Sequence, residues 1–249
     1  MTASSQLAKL AEDAWQHTLC SFPELATILG DKRYNHLLTD NSNEARAARL
    51  ADSQTFLETL KAIDAAQLTE DEKITADILR INFESSLEGE NFNFHLWDID
   101  QLNGIQVGFP TLIQNFQPKK DAKDWRDLIS RYEAVKTKVD NFIGHLKEGA
   151  EKGYCAPRIA VERVISQLDG LLDKPADESI FVKVAGTIED GIEGKETLAA
   201  DVKKAALGFV IPAFESMRET LKVVCLPIAR DNTGLWENPQ GDASYAYMV

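Results

Sequence analysis

The sequence predicts an all-α fold: an irregular multi-helix bundle with long loops, ending in a short hairpin arm or edge strand. Three observations carry this. Apolar residues recur at helical spacing along most of the chain. Capping and stop signals bracket those runs. Polar/apolar alternation, the mark of extended chain, is confined to residues 91–97 and the last eight residues.

Taken in order, Leu7, Leu10, Ala11, Ala14 and Trp15 share one face of a first helix, which Ser21-Phe22-Pro23 breaks. Pro23 suits the first turn of a short second helix and Gly30 its stop. Residues 31–42 are polar and read as loop. A third helix is expected from Asn43 to Ala66, with Leu50, Phe56, Leu57, Leu60 and Ile63 inward. Thr69 followed by Glu72 is a capping box for a fourth helix reaching Leu87, with Ile74, Ile78 and Ile81 inward and Leu79 as a further candidate. Residues 89–120 are irregular, and a loop of that length is usually functional. Trp125, Leu128, Ile129, Tyr132, Val135, Val139, Phe142, Ile143 and Leu146 then hold the helical period for over five turns, up to Gly153. Pro157 opens a helix carrying Val161, Val164, Ile165, Leu168 and Leu172, and residues 173–194 read as loop. A last long helix is expected from Lys195 to Val224, kinked at Pro212.

The 249 residues carry a net charge of −13, which repels phosphate backbones and anionic lipid. Nucleic acid is therefore not an expected partner. No apolar run of membrane-spanning length occurs. The N-terminus has neither the basic nor the apolar segment of a signal peptide, so as read the chain stays in the cytoplasm; a chain from which a signal had been removed would read the same and would be periplasmic or lipid-anchored. One helical domain over 1–249 is expected. Cys20, Cys155 and Cys225 are isolated and odd in number, as buried free thiols are.

No catalytic or metal-binding motif is complete. The histidines, His17, His36, His95 and His145, are far apart in sequence, and each precedes Thr or Leu, so no HExxH exists. Neither G-x-S-x-G nor S-x-x-K with its partners is found. Gly191 to Glu196 is not a phosphate loop, because the spacing is wrong and Glu196 stands where a magnesium-binding hydroxyl belongs. Forty acids allow too many carboxylate pairs for spacing to single one out. Phe92, Phe94, Trp97 and Phe109 line either a ligand cleft or the core beneath a long loop.

Several segments together resemble one family. They are Phe22 to Asp31, Gly149 to Arg158, Val164 to Leu168, Leu226 to Arg230, Gly234 to Trp236 and Pro239 to Ala246. Their order and spacing are similar to the N-terminal half of the bacterial "domain of unknown function 885" family. Its members are often secreted or lipid-anchored and resemble zinc metallopeptidases of the helical gluzincin type. The resemblance implies that a zinc motif, and a glutamate base to activate its water, lie beyond residue 249. No catalytic or metal-ligating residue is therefore assigned, and zinc is expected only in the C-terminal half. This chain is expected to wall a substrate cleft, with peptide as partner only in the full-length context. Tyr245, Tyr247 and Trp97 are the candidate substrate-contact residues. The turn at Asn238 to Gly241 followed by alternating residues fits an extended arm that holds substrate by main-chain hydrogen bonds, connects the two halves, or self-associates through 242–249. A second class of function is a stand-alone helical binding or scaffold protein without hydrolase activity.

Overall fold

A computed structural model describes residues 2–249. The helices are α1 (Ala3–Ser21), α2 (Pro23–Ile28), α3 (Asn43–Lys61), α4 (Glu70–Gly89), α5 (Ile105–Thr111), α6 (Ala122–Lys152), α7 (Arg158–Leu172), α8 (Ile180–Lys183), α9 (Lys195–Ala205), α10 (Ile211–Thr220), α11 (Leu226–Ile228) and α12 (Gly241–Met248). Among the described residues there is no sheet, only one parallel bridge between Pro157 and Arg230. No described helix is long and apolar enough to cross a membrane.

Contacts divide the chain into two compact units. The first comprises the chain up to Phe22 together with Asp40–Phe94. It packs α1, α3 and α4 around Leu7, Leu10, Ala14, Leu57, Leu60 and Phe83. Each of these helices starts on a side-chain cap. Thr2 accepts from the Ser5 N–H and Ser42 from the Ala45 N–H, both at 3.2 Å. The predicted capping box of α4 is formed, with Glu72 N–H to Thr69 at 3.3 Å and Thr69 N–H to Glu72 at 2.8 Å. α3 stops at Lys61 rather than Ala66. The Asp64 carboxylate takes the Ala66 N–H at 3.0 Å and nucleates a separate 3-10 turn over Ala65–Gln67.

Of the inward residues expected on α4 only Leu79 packs against the core. Ile74, Ile78 and Ile81 are 59%, 55% and 53% exposed, while Phe83 is buried and Ala76, Leu79 and Leu87 pack beside it. At about 100° per residue these stripes lie on opposite sides of the helix. Phe83 decides between them, because its large ring stacks on Phe56 of α3 at 5.6 Å.

The second unit is Pro23–Thr39 with His95–Val249. α6 is its axis. Trp125, Leu128, Tyr132, Val135 and Val139 are fully buried in the core that α6 forms with α9 and α10, and Gly153 ends the helix in the left-handed conformation at φ 80°. Phe109, Tyr132, Phe181 and Phe214 form an aromatic cluster with neighbouring ring centroids 5.7–6.4 Å apart. Phe181 sits on α8, inside the stretch read as loop, so that segment supplies core. Phe109 likewise belongs to this core.

The expected last helix runs on as α9, α10 and α11 joined by two π turns, Ala206–Val210 and Leu221–Cys225. Pro212 and Pro227 each follow one of them closely. Proline lacks the N–H of an α turn and crowds the carbonyl four residues back, and a wider turn upstream accommodates both defects. Of the cysteines only Cys225 is buried. Cys155 is half-buried and Cys20 exposed, and all three are free thiols.

Residues 91–97, expected to be extended, form two 3-10 turns, Glu90–Phe92 and Phe94–Leu96, separated by Asn93 in the left-handed conformation at φ 51°. The C-terminal arm is also corrected: residues 241–248 are a helix, not a strand. The turn signal is real, with Gly241 N–H donating to the Asn238 carbonyl at 2.9 Å. Gln240 at φ 58° then starts α12, and the Ser244 N–H bonds the Gln240 carbonyl at 2.9 Å. Without a strand to pair with, an extended arm would leave its backbone unbonded, and helix satisfies it locally.

Candidate functional site

The C-terminal end of α6 gathers the segments that the sequence singled out. His145 lies on α6, one turn before Gly149. A Cβ at position 149 would collide with the Leu96 carbonyl, so glycine is what lets residues 95–97 lie directly on the helix. That approach places His95 edge-on to His145, ring centroids 5.0 Å apart and planes at 86°. The two histidines are 50 positions apart in sequence. No spacing rule finds such a pair, and the sequence's only trace of it is a glycine inside a helix.

Glu148 stands beside the pair. Its hydrogen bond from Lys152, at 2.6 Å, holds its carboxyl below the usual carboxylate range, and the Lys152 charge and the two imidazoles add to the effect against a burial contribution that acts the other way.

Past Gly153 the chain turns into a knot of main-chain bonds. Arg158 N–H donates to the Arg230 carbonyl at 2.7 Å, and Arg230 N–H to the Ala156 carbonyl at 3.2 Å. The buried Arg230 guanidinium donates to the carbonyls of Cys155, at 2.8 Å, and of Gly234. Asn238 Oδ1 accepts the Cys155 N–H at 3.2 Å. Three separate segments, 154–158, 226–234 and 235–244, are thereby tied into one corner, and α12 is built on it. A Cβ at Gly241 would collide with the Leu235 carbonyl and Trp236 Cα, so the helix starts in close contact with that turn.

The three candidate contact residues thus belong to elements seated near one end of α6. Trp97 is half-buried on the segment that lies across Gly149, Tyr247 is half-buried on α12, and Tyr245 is 62% exposed there. Trp236, which sequence reasoning did not assign, is 64% exposed at the start of the same tail. Phe92 and Phe94 belong to the first unit, and Phe109 is buried in the second unit's core. Among the described residues no three His, Cys, Asp or Glu side chains converge as metal ligands do.

The corner carries exposed aromatic side chains on a hydrogen-bonded frame within an all-helical scaffold. The chain belongs to the family described as "Bacterial protein of unknown function (DUF885)", which matches residues 23–249. It is similar in fold to a crystal structure described as "the putative lipoprotein from Colwellia psychrerythraea", with a TM-score of 0.84 at 20% identity. That match covers 98% of this chain and 45% of the other, so the chain spans less than half the length of its structural relative. No curated protein matches it.

Proposed function

We propose that this chain is the substrate-cleft portion of a zinc-dependent, peptidase-like protein and carries out no hydrolysis by itself. The supporting observation is that nearly all of this fold recurs as 45% of a longer chain. In this reading the remainder supplies the zinc and the base, and the corner at the end of α6 contributes surface. Trp236 and Tyr245 stack on an extended peptide, with Trp97 and Tyr247 forming the deeper wall. The same exposed residues, with Met248 and Val249, account for self-association through 242–249 when the remainder is absent.

The test compares the chain alone with a chain extended through the C-terminal half of a family member. Elemental analysis should find no stoichiometric zinc in the former and one in the latter. Only the extended protein should cleave a broad peptide library. One tightly held zinc, or hydrolysis, in the chain alone would overturn the reading. An extended protein that binds neither zinc nor peptide would favour a helical scaffold instead.

A further inference from the structure

The first unit contains a cleft of about 550 Å³ framed by α1, α3 and α4, within the size range of small-molecule sites. Its walls include Trp15, Phe22 and Phe56. Trp15 and Phe22 are 44% and 42% exposed, so two large rings are held out of the core beside the cleft.

Two guanidinium groups face the same space. Arg46 and Arg49 are one turn apart on α3 and so share a side of the helix. Arg46 is neutralised by Glu90 at 2.7 Å. Arg49 forms no ion pair among the described residues. One of its nitrogens donates to the Asp40 carbonyl at 2.8 Å, and the group sits 5.7 Å from the Phe22 ring centroid. Burial first, and then the nearby Arg46 charge, hold Arg49 below its ordinary pKa, against the opposing pull of the Asp40 charge. A half-buried cation left with a carbonyl and a ring keeps donors to spare.

We propose that this cleft binds a small monocarboxylate with an apolar or aromatic body. The carboxylate lies on Arg49 as a forked pair, and the body lies against Phe22, Phe56 and Trp15. Arg46 is paired with Glu90 and the Asp40 charge already acts on Arg49, so the cleft offers at most one positive charge and a dianionic phosphate is a poorer fit than a monoanion. The chain's net charge of −13 gives an anion no long-range attraction, which leaves recognition to this local pair and disfavours polyanions. The proposal does not depend on the peptide-cleft reading, since the two sites share no residue.

Calorimetric titration of the full chain with 4-phenylbutyrate tests it. Saturable binding is expected, weakened about tenfold or more for 4-phenylbutanol, which lacks the charge, and similarly for the Arg49→Met variant. Phenyl phosphate should bind more weakly than the carboxylate. Absence of binding up to the probe's solubility, equal affinity for acid and alcohol, or unchanged affinity in a folded Arg49→Met would each overturn the proposal. If that variant does not fold, the acid–alcohol comparison on the unaltered chain decides. None of these results bears on zinc or hydrolysis.

Discussion

At Arg131 the chain buries a guanidinium completely and answers it almost entirely with neutral oxygens. The carbonyls of Leu37, Pro23 and Tyr34 accept at 2.9, 3.3 and 3.2 Å, Thr27 Oγ1 at 2.6 Å, and Gln117 Oε1 completes the set. Burial pulls its pKa down to about 10, against the opposing charges of Glu24 and Asp127. The residue fastens Pro23–Thr39 to α6. Arg131→Met should therefore lower stability by about 2–4 kcal/mol in denaturant melts, because several buried acceptors lose their donor. Glu24 lies in the same segment. Burial pushes its carboxyl up, but Lys138 at 2.5 Å and Thr39 at 2.6 Å outweigh that and hold it below the usual value. Its contribution is therefore present above the unfolded pKa and is lost as pH falls through the folded one. In Glu24→Gln the loss of stability between about pH 6 and about pH 3 should be shallower, as measured by urea midpoints. Neither role was legible in the sequence. An arginine in an amphipathic helix reads as solvent-facing, and the acceptors that make this one structural lie 94 to 108 positions upstream or on an irregular loop.

For whole elements, legibility depends on whether the signal is local. The capping box at Thr69, the left-handed Gly153 and the buried stripe of α6 each rest on spacing within one helix, and each stands as predicted. α4 offered two apolar stripes, and only the partner helix could choose between them. Phe83→Ala should cost about 3–5 kcal/mol, whereas Ile78→Gln should change stability by no more than about 0.5 kcal/mol. Equal losses in the two denaturant curves would restore the face that the sequence favoured. Gly149→Ala tests the contact that builds the candidate site. Its methyl group must displace residues 95–97, at a cost of about 1–3 kcal/mol, and the indole fluorescence of Trp97 should change with it. In the tail, alternation over eight residues competed with helical tendency, and the lack of any strand to pair with decided the outcome. The exposed side of α12 should show amide exchange that slows with rising protein concentration if 242–249 self-associates.

Across the molecule the all-α class was readable because helical periodicity recurs nearly everywhere. The division into two units was not, because Pro23–Thr39 leaves the first unit and returns to it only after joining the second, through bonds that span about a hundred positions. Val164, fully buried at the heart of the second unit, gives a plain check on that core: Val164→Ala should cost about 1–3 kcal/mol. The helical run from Lys195 to Ile228 carries a different constraint. Each π turn holds one residue more than the α turn it replaces, so the run behaves as a helix with two insertions. Deleting one residue within 206–210 would let that π turn close to an α turn and keep Phe214 and Met217 on the buried face, whereas the same deletion in an α turn rotates the residues after it by about 100°. The two π turns are therefore the places where this run can lose a residue and keep its register. A single-codon deletion scan should recover more soluble protein from 206–210 than from the α turns of 213–219.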